Sequence, residues 1–142
     1  MKRLTILLFL LSVSQLGHAV EFRNGVGLGF QYSGVGWQGG IRHGNNSVKL
    51  SMGAIGSSFG YEYAVSKNLS FASHYNIITT PLYISTTTAV SLHANYHFSG
   101  NNSSGLLLGL DLMKVDPLVD DNGQDISGTE DLIPFISIGY QF

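Results

Sequence analysis

Residues 132–142, Leu-Ile-Pro-Phe-Ile-Ser-Ile-Gly-Tyr-Gln-Phe, alternate along the chain with a period of two. Pro134, Ile136, Ile138, Tyr140 and Phe142 fall on one face, and Ile133, Phe135, Ser137, Gly139 and Gln141 on the other. That period belongs to a β-strand. The first face is apolar throughout, whereas the second mixes polar, small and bulky residues. Such a strand suits a wall between lipid and the interior of a barrel.

Seven earlier stretches repeat the pattern: residues 25–32, 36–43, 47–55, 59–65, 69–77, 89–98 and 105–114. In the first, Val26, Leu28, Phe30 and Tyr32 face out against Gly25, Gly27, Gly29 and Gln31. In the last, Leu106, Leu108, Leu110 and Leu112 face out and Asp111 faces in. Tight turns at 44–46 and 66–68 alternate with longer connections at 78–88 and 115–131, and a middle-length one covers 99–104. Eight strands place both chain ends on one side and the two longest connections on the other.

Composition agrees. Only 11% of the 142 residues are charged and 44% are hydrophobic, against roughly 25% charged in an ordinary soluble domain. Lys2 and Arg3 precede an apolar run at 4–13, followed by Gly17 and Ala19, which predicts a secretory signal peptide over 1–19 and one barrel domain over 20–142. That run is shorter than the ~20 residues a helical span needs, so insertion into a membrane must use strands. The absence of Cys excludes disulfides and thiol chemistry. Without Lys2 and Arg3 the chain carries 5 basic and 9 acidic residues, a formal charge of −4 that argues against nucleic acid as a partner.

The ending Tyr140-Gln141-Phe142, with aromatics at alternate positions, resembles the terminal strand of bacterial outer-membrane β-barrels. The hairpin from Tyr61-Glu62-Tyr63 to Phe71 is similar to one that recurs in small members. The chain as a whole resembles the OmpA/OmpX-like proteins. That resemblance implies an all-β, eight-stranded antiparallel up-and-down transmembrane barrel in the outer membrane of a Gram-negative envelope. It also implies lipid and lipopolysaccharide around it, and a barrel-assembly machinery that reads Tyr140 and Phe142. Tyr32, Trp37, Tyr61 and Tyr75 are expected in the outer aromatic girdle, with Phe71, Tyr96, Tyr140 and Phe142 in the periplasmic one.

Arg42, Lys49, Glu62 and Asp111 point inward, joined by His74, His93 and His97. Buried charges need partners. We therefore expect an internal plug, with Arg42, Lys49 and Glu62 as a three-member ion cluster and His93 opposite Asp111. A proton or ion path is the sharper alternative. His93 and His97 on one wall could hold a metal with Asp111 or His74, but buried hydrogen-bonded histidines are the simpler expectation, so no metal or cofactor is assigned. Lipid A deacylases and palmitoyltransferases share this architecture. The former would want a His-x-Ser pair, yet His74 and His93 are followed two positions on by Asn76 and Asn95; no catalytic residues are assigned and no enzyme is expected. Asp116, Asp120, Asp121, Asp125, Glu130 and Asp131 make the longest connection acidic. It lacks EF-hand spacing and reads as a solvated loop, with divalent-cation binding as the alternative. An outer loop partner, a narrow solute channel and a soluble lipocalin-like carrier complete the alternatives.

Overall fold

The computed structural model describes residues 20–80, 85–116 and 132–142. The expected signal peptide and most of the acidic loop lie outside them. The alternating segments form eight strands: β1 Val20–Gly29, β2 Gly34–His43, β3 Asn46–Gly53, β4 Gly56–Ala64, β5 Leu69–Thr80, β6 Ser85–His97, β7 Gly105–Val115 and β8 Ile133–Gln141. Each pairs antiparallel with the next, and β8 pairs with β1 to close the barrel. This is the all-β, eight-stranded up-and-down topology expected from the sequence.

The register fixes the barrel's shape. Glu21 leads across neighbouring strands through Arg42, Ser47, Glu62, Ala72, His93 and Asp111 to Phe135. The β8–β1 pairing Ile138↔Leu28, carried three residues further, brings Phe135 level with position 31, a stagger of ten residues from the start. Eight strands with that stagger tilt by roughly 40°, within the usual range for closed barrels, and leave an interior that side chains can fill.

Inside and outside are inverted relative to a soluble protein. Among the described residues, six hydrophobic side chains are buried, three of them Ala, against nineteen polar or charged ones. The large apolar side chains, from Phe22 and Val26 round to Ile138 and Tyr140, stand on the outer surface.

Three expectations change. The sequence predicts a first strand at 25–32, but β1 begins at Val20 and stops at Gly29, where Phe30–Tyr32 form a 3-10 turn. Gly29 at φ 135° permits the break, and Tyr32, expected in the outer girdle, is 1% exposed inside the barrel. Its ring lies against Gly27 and Gly139, which have no Cβ to obstruct it. Second, the connection expected at 78–88 is largely strand. The Thr-rich flanks suit a pleated wall and pair as far as Thr80↔Ser85. Third, Tyr61 lies in the half of the wall that carries the turn at Gly44–Asn45, with its hydroxyl on Asn46 Oδ1, opposite to the end expected.

The inward fold of Phe30–Tyr32 also leaves a seam. The β1–β8 ladder ends at Leu28↔Ile138, so beyond it Ile136 and Pro134 pair with no β1 residue among the described residues. Pro134 has no N–H to leave unpaired there, the placement that a strand edge tolerates. The Phe30 and Phe135 rings meet at 5.1 Å beside the seam.

Candidate functional site: the polar interior

The inward-facing positions of β2 to β8 and the 3-10 turn assemble one connected polar chain. Lys49 Nζ donates to Glu62 Oε2 at 2.8 Å. The same oxygen accepts from Asn95 Nδ2 at 3.1 Å. Asn95 and Gln31 form a reciprocal amide pair, with Nδ2 to Oε1 at 3.2 Å and Nε2 to Oδ1 at 3.1 Å. Gln31 Nε2 also donates to Ser137 Oγ at 2.7 Å, and Ser137 passes a bond to Asp111 Oδ1 at 2.9 Å. The second Asp111 oxygen accepts the Phe30 backbone N–H at 3.2 Å. Gln38 and Ser51 both donate to the Gln31 carbonyl, at 2.9 and 2.6 Å. The 3-10 turn therefore hangs in the lumen as a plug, held through both backbone and side chain.

His93 is paired in register with Asp111, as its position on the strand predicts. His93 Nδ1 lies 2.8 Å from Asp111 Oδ1, off the line of a proper hydrogen bond. Its Nε2 is 2.8 Å from Ser91 Oγ, which also accepts from Asn76 Nδ2 at 2.8 Å. Ser91, His93 and Asp111 thus stand in the order of a nucleophile, a base and an orienting carboxylate. The spacing on the strand is Ser-x-His, the reverse of the pair sought in the sequence. Ser91 is 0% exposed. A small cavity beside Arg23, Tyr32, Gln38, Lys49 and Gln141 measures about 10 Å³, about one water.

The remaining members of the expected plug are placed as follows. His97 Nε2 is 3.0 Å from Ser70 Oγ. His74 is 1% exposed, neither ring nitrogen has a hydrogen-bond partner among the described residues, and its ring stands edge-on to His93 with centroids 4.7 Å apart. The three-member ion cluster does not form. Arg42 is buried, but its Nε donates to the Gly44 carbonyl at 2.6 Å and its Nη1 to the Asn101 carbonyl. The shear explains this: Arg42 faces Ser47 in register, one step nearer the turns than Lys49, and the chain at 99–103 folds across to meet it. His93 and His97 form no three-ligand metal group with Asp111 or His74 among the described residues.

Sequence reasoning missed the neutral members Gln31, Asn76, Ser91, Asn95 and Ser137. Their inward parity was visible for all but Gln31's reach across the lumen, which depends on the break after Gly29. On the outer face, Trp37, Phe71, Tyr75, Tyr96 and Tyr140 are each exposed, as are Tyr61 and Phe142.

No protein-family model, characterised protein or solved structure matches this chain.

Proposed function

We propose that the chain is a non-enzymatic β-barrel of the Gram-negative outer membrane, akin to the OmpA/OmpX-like proteins, exported by a signal peptide over residues 1–19. Its role is in envelope integrity or in surface recognition through its outer loops. One observation carries this reading. The outside of the closed wall is largely a band of Leu, Val, Ile, Phe and Tyr, with Lys114 near the end of β7, while Arg42, Lys49, Glu62 and Asp111 are folded inside. In water such an exterior would drive association; in a bilayer it is the side that belongs in contact with lipid.

The filled interior supports a scaffold over a pore. The path down the axis is interrupted by the 3-10 turn, the Lys49–Glu62 pair and the Arg42–Asn101 contact. Ser91's complete burial supports the non-enzymatic reading. Lipid and lipopolysaccharide are the proposed surroundings, and the aromatic end at Tyr140 and Phe142 is the proposed signal to the assembly machinery.

Fractionation of cells that make the chain tests the proposal, with boiled and unboiled samples compared by electrophoresis. We expect the protein in the outer membrane with a heat-modifiable mobility. A soluble periplasmic protein without a mobility shift would overturn the reading.

A further inference from the structure

The end of the barrel that carries the turns at 44–45, 65–68 and 99–104 is tied together by bonds to backbone carbonyls. Asn101 links two of the turns: its N–H donates to the Lys67 carbonyl at 2.6 Å and its Nδ2 to the Ser66 carbonyl at 2.5 Å. From β2, Arg42 donates through Nε to the Gly44 carbonyl at 2.6 Å and through Nη1 to the Asn101 carbonyl. Between the turns lies an open cavity of about 420 Å³, a size suited to a small ligand.

Charge is not balanced there. Arg42 is only 8% exposed, and a buried charge ordinarily has a counter-charge beside it. It forms no ion pair among the described residues, and neither does Lys67 on the facing turn. The carboxylates nearest this end are already taken, Glu21 by Arg23 at 2.5 Å and Glu62 by Lys49 at 2.8 Å. Arg42 and Lys67 both line the cavity, and no acidic side chain does so among the described residues. The Arg42 Nη2 donates to no group among the described residues and is not buried, so it is the nitrogen that a ligand can reach. The Lys67 stem lies beside Gly100, which has no Cβ to crowd it. The rest of the lining is largely neutral and able to donate, with Asn45, Ser99, Asn102 and Ser103 among it.

We propose that this mouth binds a phosphate dianion, either free phosphate or the monoester of a small polar molecule. Two cations with no acid between them match a phosphoryl charge of about −1.5 to −2. Arg42 Nη2 and the Lys67 ammonium take separate oxygens through charge-assisted bonds, and the hydroxyl and amide side chains of the lining serve the remaining acceptors. A carboxylate or a phosphodiester brings a single charge and leaves one cation unmatched. The cavity exceeds a phosphate group in size, which leaves room for a glycerol- or sugar-sized carrier. The inference rests on the charge and geometry of this end alone and does not require the membrane assignment.

The test is titration of the full chain, folded in detergent and checked by its heat-modifiable band, with inorganic phosphate, glycerol 3-phosphate, dimethyl phosphate and acetate at constant ionic strength. Binding is followed by NMR shifts of the Gly100 and Asn102 amides. We expect saturable binding of the two dianions, about tenfold tighter than that of either monoanion, roughly 1.4 kcal/mol. Tighter binding of glycerol 3-phosphate than of phosphate would support the proposal with a phosphorylated carrier as the source, and equal binding would support it with free phosphate. Arg42→Met and Lys67→Met should each weaken the dianions about tenfold, again roughly 1.4 kcal/mol. Lys67 is exposed, so its replacement carries the test should Arg42→Met fail to fold. Acetate or dimethyl phosphate binding as tightly as the dianions, unchanged affinity in Lys67→Met, or no saturable shift up to about 10 mM, the range of the weakest specific contacts, would each overturn the proposal.

Discussion

Lys49 Nζ and Glu62 Oε2 lie 2.8 Å apart inside the barrel, each side chain 7% exposed. They are diagonal neighbours, since Lys49 faces Gly60 in register and Glu62 faces Ser47. Removing one member of a buried pair strands the other charge, at about 3–5 kcal/mol. Glu62→Leu should destabilise the folded barrel by that order, as should Lys49→Met. The double variant should recover a large part of the loss. Urea unfolding, followed by the heat-modifiable band, measures this. Additive losses in the double variant would show that the two charges do not depend on one another.

Gly60 lies beneath His74. A methyl group there would overlap the imidazole ring, which also packs edge-on against His93 at 4.7 Å. Gly60→Ala should lower stability by about 1–3 kcal/mol, as overpacking does. His74→Ala in the same chain should relieve much of the penalty. Independent effects of the two substitutions would remove this contact from the account.

The outer face gives a depth-dependent expectation. Leu110 is 64% exposed on β7, between Ala94 and Ile136 on the neighbouring strands. Leu110→Arg should reduce stability in lipid vesicles by about 2–4 kcal/mol, as at a bilayer midplane. Leu106→Arg, near the strand's start, should cost about 0–1 kcal/mol. Equal, negligible effects at both positions would point to a water-facing wall.

Much of the barrel was legible because strand parity is unforgiving: one residue of slip moves every side chain to the other face. The alternation of Leu106, Leu108, Leu110 and Leu112 could be read in only one way. Tyr32 could not be read. Parity placed it outside, but its fate is set by Gly29 turning the chain inward and by the space above Gly27 and Gly139, neither of which a local pattern encodes. Arg42 failed for a different reason. Its nearest ionisable neighbours in the sequence were evident, but the arrival of Asn101 from a turn 59 positions away is a long-range event. The Ser91–His93–Asp111 alignment combines one strand's spacing with a cross-strand register; only the His93–Asp111 half was visible from the hairpin.

Phe142 exchanges both backbone bonds with Asn24, at 2.8 and 3.2 Å, and its ring is exposed. Deleting Phe142 should leave spontaneous folding in detergent nearly unchanged while lowering the amount assembled in the outer membrane of cells several-fold. Quantitative immunoblots of membrane fractions check this. Equal loss in detergent and in cells would make Phe142 a structural residue only.

Trp37, the only tryptophan in the sequence, stands on the outer face at 43% exposure, over Gly39. Its fluorescence, in protein folded into vesicles containing brominated lipids, tests the central claim most directly. The account expects strong quenching by bromine on the acyl chains and little by aqueous iodide. Quenching by iodide with none from brominated lipid would place this wall in water and contradict the assignment of an apolar exterior to the bilayer.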